Sequence, residues 1–244
     1  MQAIPGHTET SEAIAEFFEK AEMVPSLKLW RALWPSDPRL SGHAEPGKVF
    51  SATFAFWETH ELQKLLRQIE NILGQGTENE EDEIRIKLLA YCQIMECDLP
   101  LALVWNVLRV IGDEEPRWIF RENGQDCIYS SQKLKAITLR ADSLQLHIGH
   151  VLSSIWDLEI RNAFAHGHYI LGHGYVLLSK LLSPISSGGK RRSSRRAENP
   201  SYQEVRDRYE AAKDFLVTLS DAHSNFYQKM RVKHQHFIAN AEPS

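Results

Sequence analysis

Arg161 and His166 stand five positions apart, with Asn162 directly after the arginine and the small residues Ala163, Ala165 and Gly167 beside them. These residue types suffice for one reaction without a metal ion. A histidine titrates near neutral pH and can take the proton of a 2′-hydroxyl or give one to a leaving oxygen. An arginine can hold a phosphate through two parallel hydrogen bonds and stabilise the charge that builds on it. RNA offers both groups, and its cleavage by this route would leave a 2′,3′-cyclic phosphate and a 5′-hydroxyl. The competing reading is architectural: Arg161 paired with Asp157 or Glu159, and His166 a histidine whose ring is satisfied by neighbours.

The elements that must position this pair are helical. Leu134, Ile137, Ala141, Leu144, Ile148, Val151, Ile155 and Leu158 step by three and four alternately, and Asn162 and Ala165 continue the register. The spacing predicts one helix, or two in phase with a weak point at Gly149. At about 100° per residue, Arg161 and His166 lie roughly 140° apart around the axis, whereas Asn162 and His166 share a face. A straight helix would not aim both at one atom. A twofold pairing with a second copy would bring two arginines and two histidines into one cleft, and a helix end near Gly167 could do so within one chain.

Elsewhere Thr8 or Thr10 is expected to cap a helix running to about Glu22, and the stretch 35–47, with three prolines and two glycines, reads as a loop. A long helix is predicted over 49–73, with Leu62, Leu65, Leu66, Ile69, Ile72 and Leu73 on one face. Glu78, Glu80, Glu81, Asp82 and Glu83 open the next helix, where acids suit the dipole, and Pro100 opens another in its first turn. Residues 112–130 look irregular. Tyr169–Leu171 and Tyr175–Leu178, with Gly-His-Gly between, predict a β-hairpin. A final helix carries Val205, Tyr209, Ala212, Leu216, Leu219, His223, Phe226 and Met230 on one stripe. Phe50, Phe54 and Trp57 read as core.

Five histidines fall between Gln145 and Tyr175: His147, His150, His166, His168 and His173. No carboxylate completes a ligand set and H-E-x-x-H is absent, so no metal and no other cofactor is expected. His168 is expected to line the cleft or start the hairpin. Lys190, Arg191, Arg192, Arg195 and Arg196 place five positive charges in seven residues, either a solvated loop or an arm that tracks RNA phosphates. Cys92, Cys97 and Cys127 form no C-x-x-C pair and read as buried thiols.

Net charge is −4, but unevenly spread. Residues 1–130 carry 12 basic and 22 acidic side chains, and residues 131–244 carry 16 and 10. A polyanion would therefore meet the C-terminal part. No apolar run approaches the ~18 residues of a membrane span, and the acidic N-terminus lacks the zones of a signal peptide. A cytoplasmic protein without membrane contact is expected.

The run RNAFAHGHY at 161–169 resembles the signature of the HEPN superfamily: an arginine, four to six residues, then a histidine, with a polar residue usually next to the arginine. The hairpin, basic loop and final amphipathic helix are similar to HEPN proteins with an insertion before the last helix, so the resemblance covers about residues 130–230. It implies an all-α, HEPN-like helical bundle with a small β-hairpin inserted before the last helix. It also implies a metal-independent endoribonuclease in antiviral defence or a toxin–antitoxin pair, acting as a homodimer, with an antitoxin or defence-system protein as a further partner. Arg161 and His166 would be catalytic and Asn162 would orient the site. Lys190, Arg191, Arg192, Arg195, Arg196, His168 and Tyr169 would contact RNA. The alternative is a non-catalytic HEPN scaffold binding nucleotide, RNA or a partner protein. Toxins of this family inactivated by a nucleotidyltransferase often carry tyrosine two residues after the histidine. Here His168 holds that place and Tyr169 comes one later. The expected organisation is an N-terminal helical extension and loop over 1–48, a HEPN-like domain over 49–236, and a tail over 237–244.

Overall fold

A helix apolar on every side must sit at the centre of a bundle, and the run 101–110 is buried at every position. In the computed structural model, which describes residues 3–24, 26–33, 46–116, 121–122, 125–126, 129–178 and 199–239, this run lies in α5 (Asp98–Ile111). Around it pack α1 (His7–Glu22), α2 (Ser26–Leu33), α3 (Pro46–Gln75) and α6 (Ser130–Ser143). The one basic residue of α5 is matched: Arg109 pairs with Glu114 at 2.9 Å, donates from Nε to the Glu115 carbonyl at 2.9 Å, and lies over the Trp105 ring.

The chain is mostly helical, with a two-stranded antiparallel hairpin before the last helix. That helix, α9 (Tyr202–Ala239), packs on α4 (Glu80–Glu96) and α1. Of its predicted stripe, Val205, Tyr209, Ala212, Leu216, Leu219, Phe226 and Met230 are buried and His223 is half-buried. Arg206 donates to Glu80 at 2.7 Å and to Glu83 at 2.9–3.0 Å, so part of the acidic run at the start of α4 is an α4–α9 tie. The helix begins as its acids suggest, with the Asn79 side chain accepting from the Asp82 amide at 2.9 Å.

Several local expectations need correction. The apolar register from Leu134 to Ala165 is not one helix but three: α6, α7 (Ile148–Ile155) and α8 (Leu158–Ala165). The first break is not at Gly149. It lies at 144–147, where Gln145 takes φ 58°. Gly149 instead lets α7 lie against α6: a Cβ there would stand 2.7 Å from the Ala141 Cβ and 3.2 Å from the Thr138 Cα. The side chains keep a three–four rhythm because each short helix turns its apolar stripe to the same core. The first helix is not capped by threonine: Gly6 precedes it and Thr10 lies buried within it. The stretch 112–130 holds a small pair of strands, β1 (Arg121–Glu122) and β2 (Gln125–Asp126). Ile14, Phe17 and Phe18 of α1 belong to the same core as α5 and α9.

The hairpin is β3 (Tyr169–Gly172) and β4 (Tyr175–Leu178), with Tyr169 opposite Leu178 and Gly172 opposite Tyr175. Its two turn residues, His173 at φ 54° and Gly174 at φ 79°, supply the positive angles a tight antiparallel turn requires. The far edge of β4 is tied to the start of α9: the Val176 amide donates to the Pro200 carbonyl and the Tyr202 amide to the Gly174 carbonyl, both at 2.8 Å. Among the described residues no helix is long and apolar enough to cross a membrane.

Candidate active site

Eight residues make α8, and both of its ends are built with care. Asp157 caps the start, one carboxylate oxygen accepting from the Glu159 and Ile160 amides at 3.0 Å. At the other end Gly167 takes φ 65°. The Gly167 amide donates to the Phe164 carbonyl at 3.1 Å, and the His168 amide to the Ala163 carbonyl at 2.7 Å. That double bond is a Schellman closure, which needs the left-handed residue glycine supplies. It places His166 at the C-cap, just past the last helical residue, before the chain turns into β3.

The joint between α7 and α8 is satisfied by side chains from elsewhere in the bundle. The buried Tyr91 hydroxyl donates to the Ile155 carbonyl at 2.9 Å and accepts from the Asp157 amide at 2.7 Å. Burial pushes its phenol well above the ordinary range, so it stays a neutral donor. Arg208, only 5% exposed, donates to the Ser154 and Ile155 carbonyls at 3.2 and 3.4 Å and to Glu204 at 3.1 Å, and its charge lies 3.4 Å from Asp157. A cation at the carbonyl end of α7 suits that helix's dipole. The two carbonyls and the amide at the break thus have partners in protein, and α8 leaves α7 at a defined angle.

Arg161 is half-buried and tethered. Its Nε donates to Glu96, the last residue of α4, and its Nη1 donates to the Asn162 side-chain oxygen at 2.7 Å. Ser130, at the start of α6, donates to the same Glu96 oxygen at 3.4 Å. The hydrogen bond from Arg161 to Glu96 raises the arginine's already high pKa, so the group is a permanent cation. Beneath it Cys92 is a buried thiol pushed up to about 12 by burial, and Cys97 is also buried; Cys127 lies outside the described residues. The competing architectural reading named Asp157 or Glu159 as the carboxylate for Arg161, and the carboxylate found there is Glu96 instead. Asp157 is spent on the α8 cap and on Arg208, and the partner of Arg161 comes from α4, more than sixty residues earlier.

His166 is exposed, and among the described residues no hydrogen bond or ion pair engages its ring. Its neighbour is His168, with ring centroids 5.9 Å apart. Tyr169 is half-buried with its ring 5.2 Å from that of Phe164, so its face is partly used in packing. Arg161 reaches the end of α4, and His166, at the C-cap of α8, is exposed. Ala163 is buried beneath them while Ala165 and Gly167 are exposed. Lys190, Arg191, Arg192, Arg195 and Arg196 lie outside the described residues, as do the side chains of Phe50, Phe54 and Trp57.

No protein-family model, curated protein or solved structure matches this chain.

What the site can do therefore rests on its own residues. The other histidines are dispersed: His147 pairs with Glu16 at 2.9 Å, His173 sits in the hairpin turn, and His150 is exposed. Among the described residues no group of three or more His, Cys, Asp or Glu side chains gathers as a metal site. The sequence did not single out Glu96, Tyr91 or Arg208. Glu96 offered a faint signal, since an acid in the last turn of a helix opposes the dipole and calls for a cationic partner.

Proposed function

We propose that the protein is a metal-independent endoribonuclease whose reaction is carried by Arg161 and His166. The observation that carries the reading is the state of the two side chains on one doubly capped helix: a tethered, permanently charged guanidinium and an exposed imidazole with no hydrogen-bond partner among the described residues. The RNA 2′-oxygen attacks the adjacent phosphorus as its proton passes to a histidine. The P–O5′ bond breaks, and a second proton, given by a histidine, leaves with the 5′-oxygen. Arg161 binds the non-bridging oxygens, whose charge grows as the fifth bond forms. The resemblance of RNAFAHGHY to the HEPN signature points the same way. The arm Lys190–Arg196 would hold the flanking phosphates.

The five-residue spacing of Arg161 and His166 places them apart around a helix axis, and it favours a site completed by a second copy, one chain's arginine facing the other's histidine. Antiviral defence, or a toxin–antitoxin pair in which an antitoxin neutralises the nuclease, is the biological setting the resemblance suggests.

A second reading has its own support. The Arg161–Glu96 pair is what a purely architectural arginine would make, and it favours a HEPN-like scaffold that binds nucleotide, RNA or a protein without cutting. Incubating purified protein with mixed RNA in excess EDTA separates the two. New 2′,3′-cyclic phosphate and 5′-hydroxyl ends support the nuclease. Intact RNA with measurable binding supports the scaffold.

A further inference from the structure

An arginine meant for a phosphate must hold its fork still without spending the edge that does the holding. The Arg161 guanidinium has five N–H donors. Among the described residues, Glu96 takes the one on Nε and Asn162 takes one on Nη1. Three remain, divided between Nη1 and Nη2, enough for the two parallel bonds a phosphodiester accepts. The tether is not placed for the sake of α4. Glu96 is that helix's final residue, where a negative charge faces the carbonyl end and where no basic residue stands in the last turn. Its carboxylate instead joins three elements: the end of α4, Ser130 at the start of α6, and Arg161 on α8.

We propose that Glu96 is the positioning residue of the phosphate clamp. Its acceptor oxygen fixes the Arg161 Nε edge, so that the Nη edge faces the scissile phosphodiester. The proposal rests on the nuclease reading above and adds a residue to it. It also assigns a direction to the charge. Glu96 neutralises Arg161 in the free protein, so a phosphate arrives beside a carboxylate and binds less tightly than it would beside a neutral acceptor. Glutamine keeps an acceptor oxygen and removes the charge; alanine removes both.

The test compares wild type, Glu96→Ala and Glu96→Gln by two readouts. The first is hydrogen exchange at the Arg161 Nε–H in protein labelled with ¹⁵N-arginine, the signal identified by its loss in Arg161→Lys. Exchange is expected to quicken by about tenfold in Glu96→Ala and by less than about threefold in Glu96→Gln. The second is cleavage of a short RNA. Glu96→Ala is expected to lose about tenfold or more in kcat, and Glu96→Gln to recover most of that loss with a lower KM. The pair is half-exposed, so both variants are expected to keep the wild-type circular dichroism spectrum. Equal exchange in wild type and Glu96→Ala overturns the proposal. So does a glutamine variant as slow as the alanine one, or an alanine variant as fast as wild type while Arg161→Ala is dead. Should the wild type cut no RNA, the nuclease reading falls alone. Binding of a 2′-deoxy oligonucleotide that cannot be cut, read beside the exchange rate, then decides the proposal: Glu96→Ala must bind it less tightly than Glu96→Gln, which lacks the same charge, and equal binding by the two overturns it.

Discussion

Removing one oxygen atom from Tyr91 tests whether the α7–α8 joint is held as described. Tyr91→Phe keeps the ring, which is 1% exposed, and leaves no cavity larger than the hydroxyl. Two interactions go. The Asp157 amide loses its acceptor at 2.7 Å and is left in a half-buried place, which costs about 1–3 kcal/mol. The Ile155 carbonyl loses a donor at 2.9 Å but keeps Arg208 at 3.4 Å, so its loss is nearer to an ordinary hydrogen bond, about 0.5–1.5 kcal/mol. The expected total is about 1.5–4.5 kcal/mol, and at roughly 2–4 °C per kcal/mol for a chain of this size the melting temperature should fall by roughly 3–18 °C. Urea denaturation followed by circular dichroism reads the free energy directly. A loss below about 0.5 kcal/mol with an unchanged m-value would refute the reasoning, because it would mean that the hydroxyl has no share in satisfying the helix break. Tyr209→Phe is the control. Its hydroxyl donates to the half-exposed Glu70, where water can replace it, so its effect should be smaller.

Further outcomes follow from the same contacts. Gly149→Ala would be stabilising if helix propensity alone decided, but a Cβ 2.7 Å from that of Ala141 must push α6 from α7, so a net loss of about 1–2 kcal/mol is expected in thermal or urea melts; a gain contradicts the packing. Glu83 is held below the usual carboxylate range by its hydrogen bonds from Arg206, and Glu70 likewise by Tyr209 and then Lys213. Their folded pKa values lie below their unfolded ones, so their contribution is present above about pH 4.5 and is lost as pH falls through the folded values. Arg206→Met should flatten that acid limb in a stability-versus-pH series, and an unaltered limb contradicts the assignment.

Much of this architecture was legible in the residues. The α9 stripe and the hairpin could be read because their signals are local: apolar spacing for one, and Gly-His-Gly between two apolar runs for the other. The breaks around α7 were not legible, since the apolar rhythm runs through them. Nothing in the sequence near Gln145 announces a positive φ, and the partners that make Trp156–Asp157 a tolerable break are Tyr91 and Arg208, distant in the chain. The same holds for the site. Arg161, Asn162 and His166 stand together in one short run, but Glu96 reaches Arg161 only because α4 packs against α8. A carboxylate near in sequence, Asp157, was the natural candidate, and it was already committed to the cap of α8.

The central claim is that His166 and Arg161 perform chemistry rather than support structure. The direct measurement is single-turnover cleavage of an end-labelled RNA in excess EDTA, comparing wild type with His166→Ala. His166 is exposed and its ring makes no hydrogen bond among the described residues, so the substitution should leave the melting temperature nearly unchanged. The account predicts a rate lower by about 10²–10⁴-fold, with cyclic-phosphate ends in the wild-type products and a like loss in Arg161→Ala. A folded His166→Ala protein that cuts RNA at the wild-type rate would contradict it.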